Sequence, residues 1–284
     1  MIYKPYHFEN SIKINDLYCL FKLTCHSGYT FNGEMHDFWE CVYVIDGNLS
    51  VSSDVNIYNL KKGDIVFHKP QEFHKIQVDL GEKATIFNFS FSLEGSLAEK
   101  MAGKVCSLDP KQLQIIKQFI DFFDEEYKKH YELKEPIYQY NVLPFFENDD
   151  LYLQTVSLFI TQLIISLSKN DISFKSVETR ETILLKQAIH EMNKYIESSL
   201  SITDLAKSLN ISLSTLKRVF IKLTGMSVYK FYLTIKIRTA STMLQSGMSV
   251  SDVSNKLGFS SLAYFSSTYK RETGHRPTKD IPKN

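Results

Sequence analysis

At 284 residues, 43% hydrophobic and 13% aromatic, the chain has enough apolar content for two cored domains and is far from the composition of a disordered segment. Its formal net charge of +1 hides a split: residues 183–284 carry 15 Lys and Arg against 6 Asp and Glu, whereas residues 1–182 carry 18 against 26. An acidic part joined to a basic one points to a polyanion partner for the basic part and argues against a surface of uniform role.

The N-terminus, MIYKPYHFENSIK, has no apolar core of a leader, and no uninterrupted run of 18 apolar residues follows. The expectation is a cytoplasmic chain, neither secreted nor membrane-spanning. Cys19, Cys25, Cys41 and Cys106 form no CxxC pair and none lies in the basic part. That usage predicts reduced thiols, with neither a zinc site nor a structural disulfide.

From Asp16 to Leu93, short apolar stretches are broken by turn signals at Ser27-Gly28, Asp46-Gly47-Asn48, Lys62-Gly63-Asp64 and Leu80-Gly81-Glu82. Phe87, Phe89 and Phe91 alternate with Asn88, Ser90 and Ser92, which predicts a strand with one buried and one polar face. Six to nine strands at this spacing form a β-barrel or sandwich. At Asp109-Pro110 the period turns helical, with Leu113, Ile116, Phe119, Ile120, Phe123 and Tyr127 on one stripe. After a loop from about Pro136 to Asp150, a second helix carries Leu153, Val156, Ile160, Leu163, Ile164 and Leu167. These two helices either cover the barrel or form a dimerisation surface. The polar stretch from Ser168 to Glu181 reads as a linker.

The last hundred residues contain one pattern twice, SITDLAKSLNISLSTLKRVFIKLTG from Ser201 and SVSDVSNKLGFSSLAYFSSTYKRETG from Ser249. Ser201, Asp204 and Leu209 recur as Ser249, Asp252 and Leu257, and Leu216, Phe220, Thr224 and Gly225 recur as Phe265, Tyr269, Thr273 and Gly274. Each copy opens with Ser-x-x-Asp, a helix-start capping box, and Asn210 or Gly258 ends the short helix in a left-handed conformation. Ser212, and Ser260 or Ser261, then cap a second helix. In the first copy Leu216, Val219, Phe220 and Leu223 face inward. Ser214, Lys217, Arg218 and Lys222 face the opposite way, where a recognition helix meets the major groove of duplex DNA.

The segments DLAKSLNIS, LKRVFIKLTGMS, GFSS and YFSSTYKRETG, with the closing Gly274-His275-Arg276-Pro277, resemble the AraC-type transcription regulators in content and order. The resemblance implies a leading helix from about Leu184 to Ser198 and a buried connector from about Val228 to Gln245 between the two helix-turn-helix units. On that connector Lys236, where the family usually has Arg, and Arg238 are implied as phosphate contacts or structural ion-pair partners. On the second reader stand Leu262, Ala263, Ser266 and Ser267, with Ser267 where many relatives carry Arg. Short side chains make no bidentate contact to guanine, so this half is expected to discriminate weakly and to work through shape and the phosphate-directed Lys270 and Arg271.

A second, looser resemblance lies in His36-Asp37-Phe38-Trp39-Glu40, Tyr43-Val44-Ile45-Asp46-Gly47, Leu60-Lys61-Lys62-Gly63-Asp64 and Pro70-Gln71-Glu72-Phe73-His74. These are similar to the cupin-type barrel that such regulators often use to hold a small effector. Effector contacts are then expected from His36, Glu40, Tyr43 and His74. Trp39, of opposite strand parity, is expected in the core rather than among them. Metal-dependent cupin enzymes use two His and a Glu on one strand plus a later His. Here Glu34 stands in the first His position beside His36 and Glu40, with His74 as the later one. Glu34 removes a soft ligand, so no metal and no cofactor are expected.

The reading is thus an α+β chain of two domains. A cupin-like effector-sensing barrel (1–95) and a helical dimerisation segment (96–170) lead through a linker (171–182) to an all-α double helix-turn-helix domain (183–284). Its expected role is a non-enzymatic, homodimeric regulator that binds promoter DNA and a small-molecule effector and meets RNA polymerase. A barrel that only binds proteins, or a metal-dependent cupin enzyme with an appended DNA-binding domain, are the alternatives. An alkyl-transfer repair protein needs a reactive Cys near the reader, and residues 183–284 contain none.

Overall fold

The computed structural model describes residues 4–7, 9–31, 33–54, 56–130, 141–169, 176, 178–198 and 200–281. Residues 136–140 of the expected loop and residues 171–175 and 177 of the linker lie outside these residues; the rest of the loop includes a 3-10 turn at Leu143–Phe146.

Among the described residues, seven strands form one antiparallel sheet: β1 (Leu17–Cys25), β2 (Trp39–Ser53), β3 (Asn56–Lys61), β4 (Asp64–His68), β5 (His74–Gln77), β6 (Ala84–Phe91) and β7 (Val105–Ser107). The order is β1-β6-β2-β4-β7, and the far half of β2 pairs β3 on one side and β5 on the other. The register of β2 against β6 shifts between Val44 and Asp46, beside Gly47. Gly47 has φ +80°, and a Cβ there would fall 1.8 Å from the Lys83 carbonyl oxygen, so only glycine fits this crossing.

Alternation sorts the strands onto two cores. Cys41, Tyr43, Phe67, Phe87, Phe89 and Phe91 pack on the outer face of the sheet, and Val42, Val44, Val51, Val66, Ile76 and Ile86 pack between its folded halves. The side of β6 expected to be polar is itself buried. Asn88 and Ser90 face the interior with Cys19, whose thiol donates to Asn88 Oδ1 at 3.3 Å and lies 2.6 Å from Ser90 Oγ.

After the single turn α1 (Ala98–Met101), the helices α2 (Pro110–His130) and α3 (Asp150–Leu167) cover the outer face. Asp109 Oδ1 accepts from the amides of Lys111 and Gln112 at 2.9 Å, and Asp149 Oδ1 accepts from Tyr152 N at 2.9 Å, starting both helices. Phe119 and Phe123 of α2 meet Phe87 edge to face, and Lys22 of β1 bonds both oxygens of Asp124 at 2.9 Å. The expectation of no membrane-length segment meets one exception: α3 holds a single charged residue in 18 and is apolar enough to cross a membrane by length and composition. Tyr152, Val156, Ile160, Leu163, Ile164 and Leu167 pack inward, while Leu151, Leu158 and Ile165 stay exposed.

The leading helix, α4 (Arg180–Lys194), begins four residues earlier and ends four residues sooner than the sequence suggested. Thr179 caps it through a reciprocal box with Thr182, a Thr-x-x-Thr variant without the usual Glu. Then follow α5 (Ile202–Ser208), α6 (Leu213–Thr224), α7 (Val228–Gln245), α8 (Val250–Lys256) and α9 (Leu262–Thr273). Leu216, Val219 and Phe220 pack with Leu185 and Phe231, while Phe265 and Tyr269 pack with Ile237 and Leu244, so α7 serves both small cores.

Candidate nucleic-acid interface and sensor site

Both reading units are built from the same local devices. Ser201 and Ser249 accept from the amides of Asp204 and Asp252, and Ser212 and Ser261 cap α6 and α9 on Thr215 N and Tyr264 N. Asn210 and Gly258 turn at φ +54° and +62°, and Gly225 and Gly274 end α6 and α9 in the left-handed region. Two of these short helix pairs therefore hold two recognition helices in repeated geometry.

On α6, Ser214, Lys217, Arg218 and Lys222 are exposed. Arg218 Nη1 and Lys222 Nζ share one carboxylate, donating to Glu181 at 2.8 and 2.6 Å. Those two cations hold the Glu181 carboxyl below its ordinary range, Lys222 most strongly. Glu181, at the start of α4, was not anticipated from the sequence, where it closes the linker. On α9, Leu262, Ala263, Ser267, Lys270 and Arg271 are exposed and Ser266 is partly buried. Arg271 bonds its neighbour Glu272 at 2.9 Å, and the Tyr264 hydroxyl lies 3.4 Å from that of Tyr229.

The two connector cations part from the groove-facing reading. Lys236 is buried and donates to the carbonyls of Ser198 and Leu257 at 2.7 Å each, with its ammonium 5.1 Å from the Tyr232 ring centre. It is a tie between the two units, closing the C-terminal end of α8, and has no free donor face for a phosphate. Arg238 points at the barrel: Nη1 donates to Asp54 Oδ1 at 2.6 Å and Nε lies 3.0 Å from Met35 Sδ. Lys75 of β5 adds a bond to the Lys222 carbonyl at 3.4 Å, so the barrel touches the first reading unit as well.

Inside the barrel, Glu34, His36, Glu40 and His74 converge, each offering one ligand atom within 4.8 Å of the others. Strand parity places only Glu40, because β2 begins at Trp39. Glu34 is held by reciprocal backbone bonds with His74 at 3.0 and 3.1 Å, and the His36 carbonyl accepts from Gln71 N at 2.7 Å. His36 Nε2 and His74 Nε2 lie 3.5 and 3.3 Å from the two oxygens of Glu40, and neither nitrogen has a hydrogen bond. Burial opposes charge on Glu40, but the facing imidazoles overcome it and hold the carboxyl well below its ordinary range. The carboxylates of Glu34 and Glu40 in turn lift His74 to about 10 against its burial.

Tyr43 does not join this group. It lies on the opposite face of β2, in the core under the helices, with Trp39. His68 and Glu72 stand beside the cluster unpredicted. His68 stacks on His74 with centroids 4.4 Å apart, its Nδ1 meets Glu72 Oε1 at 2.8 Å, and Ser53 also donates to that oxygen. The four-residue step from His68 to Glu72 was the only sequence signal for that pair.

Comparison with known proteins matches a domain family to each half of the chain. The family model described as the AraC-like ligand binding domain matches residues 20–135, and the helix-turn-helix domain model matches residues 205–280. The Msm operon regulatory protein of Streptococcus mutans is 25% identical over 90% of this chain and 88% of its own. The transcriptional activator RhaR of Shigella dysenteriae is 23% identical over 90% and 88%. The structure of ToxT from Vibrio cholerae O395 aligns over 95% of this chain and 97% of its own, with a TM-score of 0.38 and 13% identity. With a ligand-binding domain ahead of a doubled helix-turn-helix domain, the chain belongs to the AraC-type family of DNA-binding transcription regulators.

Proposed function

We propose that the protein is a cytoplasmic, non-enzymatic homodimer that reads operator bases chiefly through α6, uses α9 to position, and answers to an effector held at His36, Glu40 and His74. The proposed division is the one drawn above: barrel 1–95, dimerisation segment 96–170, linker 171–182 and reader 183–284. The carrying observation is the contrast between exposed Lys217, Arg218 and Lys222 on α6 and exposed Leu262, Ala263 and Ser267 on α9. The exposed Leu151, Leu158 and Ile165 of α3 recur at seven-residue steps, the spacing of a helix seam. A second copy of the same helix is the occupant that this self-complementary stripe fits. RNA polymerase is the further partner of a promoter-bound dimer.

Binding-site selection with wild type, Arg218→Ala and Ser267→Ala tests the reader assignment. Loss of base preference is expected only for Arg218→Ala, and equal losses would sink the unequal reading. Leu158→Glu is expected to convert a sedimenting dimer to monomer with the fold retained.

A further inference from the structure

We infer that Glu34, His36, Glu40 and His74 bind one divalent first-row transition-metal ion, and that this ion is the signal the barrel reads. The inference rests on the reading of this cluster as the effector site and names the ligand class it takes. Each histidine has its Nδ1 against a backbone carbonyl, Phe38 for His36 at 3.0 Å and Glu72 for His74 at 3.1 Å. That contact fixes Nδ1–H as the donor, so Nε2, which faces Glu40, is the nitrogen that sheds its proton when an ion binds. His74 is 1% exposed, so its Nε2, which faces the Glu40 and Glu34 carboxylates at 3.3 and 3.7 Å without a hydrogen bond, is a buried ligand atom. Once the ion displaces the proton that the carboxylates hold on His74, two imidazoles and two carboxylates supply two nitrogens, up to four oxygens and a charge of −2, which neutralises a dication. Imidazole nitrogens in the set favour manganese-to-zinc ions over magnesium or calcium. Ligand atoms within 4.8 Å of one another bracket an ion and leave no room between them for a sugar ring. Glu34, half exposed, gives the route by which the ion enters and leaves.

The occupied site would be read by a residue already in contact with it. Met35, between ligands Glu34 and His36, touches Arg238 Nε. Asp54, which accepts from Arg238, also exchanges bonds with the backbone of Phe73, next to ligand His74: Asp54 N donates to Phe73 O at 2.7 Å and Phe73 N donates to Asp54 Oδ1 at 3.1 Å. Both segments that supply ligands thus meet one arginine on α7, the helix shared by the two reading units. An ion that shifts either segment changes the free energy of the barrel-to-reader contact.

The test uses the full chain and its only tryptophan, Trp39, adjacent to Glu40. Titration with Co(II) is expected to quench Trp39 saturably at one ion per chain, and excess Zn(II) should restore the emission. Glu40→Gln should abolish the quench and half-exposed Glu34→Gln, checked as folded by circular dichroism, should weaken it about tenfold. Affinity for DNA from upstream of its own gene should depend on Zn(II) in wild type and become independent of it in Asp54→Asn, which still quenches. Absence of a saturable quench, or a quench indifferent to both glutamate variants, overturns the metal site. If in that case an organic metabolite raises the melting temperature of wild type but not of Glu40→Gln, the effector-site reading survives while the metal fails. Metal binding with DNA affinity indifferent to it overturns the signalling role and the effector reading together.

Discussion

The two helix-turn-helix units share their caps, turns and core positions and differ in what they put on the surface. Helix α6 exposes Lys217, Arg218 and Lys222, and the last two are held by Glu181; α9 exposes Leu262, Ala263, Tyr264 and Ser267 and keeps its cations, Lys270 and Arg271, to the last turn. The duplication therefore conserves the scaffold that orients a helix and leaves the reading chemistry to vary. Both units lean on one connector charge, since Lys236 bonds the Ser198 carbonyl ahead of α5 and closes the C-terminal end of α8 at Leu257.

The largest expected effect probes that dependence. Lys236→Met removes two charge-assisted bonds to buried carbonyls and should cost about 3 kcal/mol of stability, read as an earlier denaturant midpoint of residues in the basic domain. A neutral result would return Lys236 to the surface role implied by its type. Next, Arg218→Ala should cost about 1 to 3 kcal/mol at the best site and flatten the base preference, measured by competition with scrambled duplexes. Lys270→Ala should weaken every duplex alike and lower the salt slope by about 1, as one lost phosphate contact does. A smaller gain, under about 1 kcal/mol, is expected when Glu181→Gln frees Arg218 and Lys222 for DNA, because the pair is surface-exposed and screened. Ser267→Ala should change selection by less than about 0.5 kcal/mol, and a larger change would make the halves equivalent.

Much of the reading domain was legible because its signals are local: Ser201, Ser212, Ser249, Gly258 and Gly274 act within a few residues of themselves. The barrel yielded its strands but not the meaning of its faces. Alternation at Phe87 to Ser92 separates two sides, yet nothing in it says that Asn88 and Ser90 look into a closed interior rather than water. Tyr43 was misplaced because its odd register, opposite to Glu40, was applied to Trp39 and not to it. Glu34 and His36, in the loop before β2, reach His74 at the start of β5 through backbone bonds of Glu34 with His74 and of His36 with Gln71, contacts that strand periodicity does not encode. Lys236 and Arg238 show the same limit, since a cation that ties carbonyls, one that grips Asp54 from 184 positions away and one that meets a phosphate look alike in sequence.

The pairing of β1 with β6 carries a consequence for how the chain is made. Leu17 lies opposite Phe91, and the Leu20 backbone is bonded to Asn141 and Val142, so the first strand waits for segments about 70 and 120 positions downstream. Such distant pairings are slow to form, whereas the six helices that follow close on near neighbours. On a ribosome delivering residues from the N-terminus, the barrel is finished only after α2 has emerged, and the reader then condenses quickly beside it. A chain stalled before Val142 leaves β1 an unsealed edge, and lengthening the stretch between β6 and Asn141 should slow maturation of the sensor while leaving the reader's folding rate untouched.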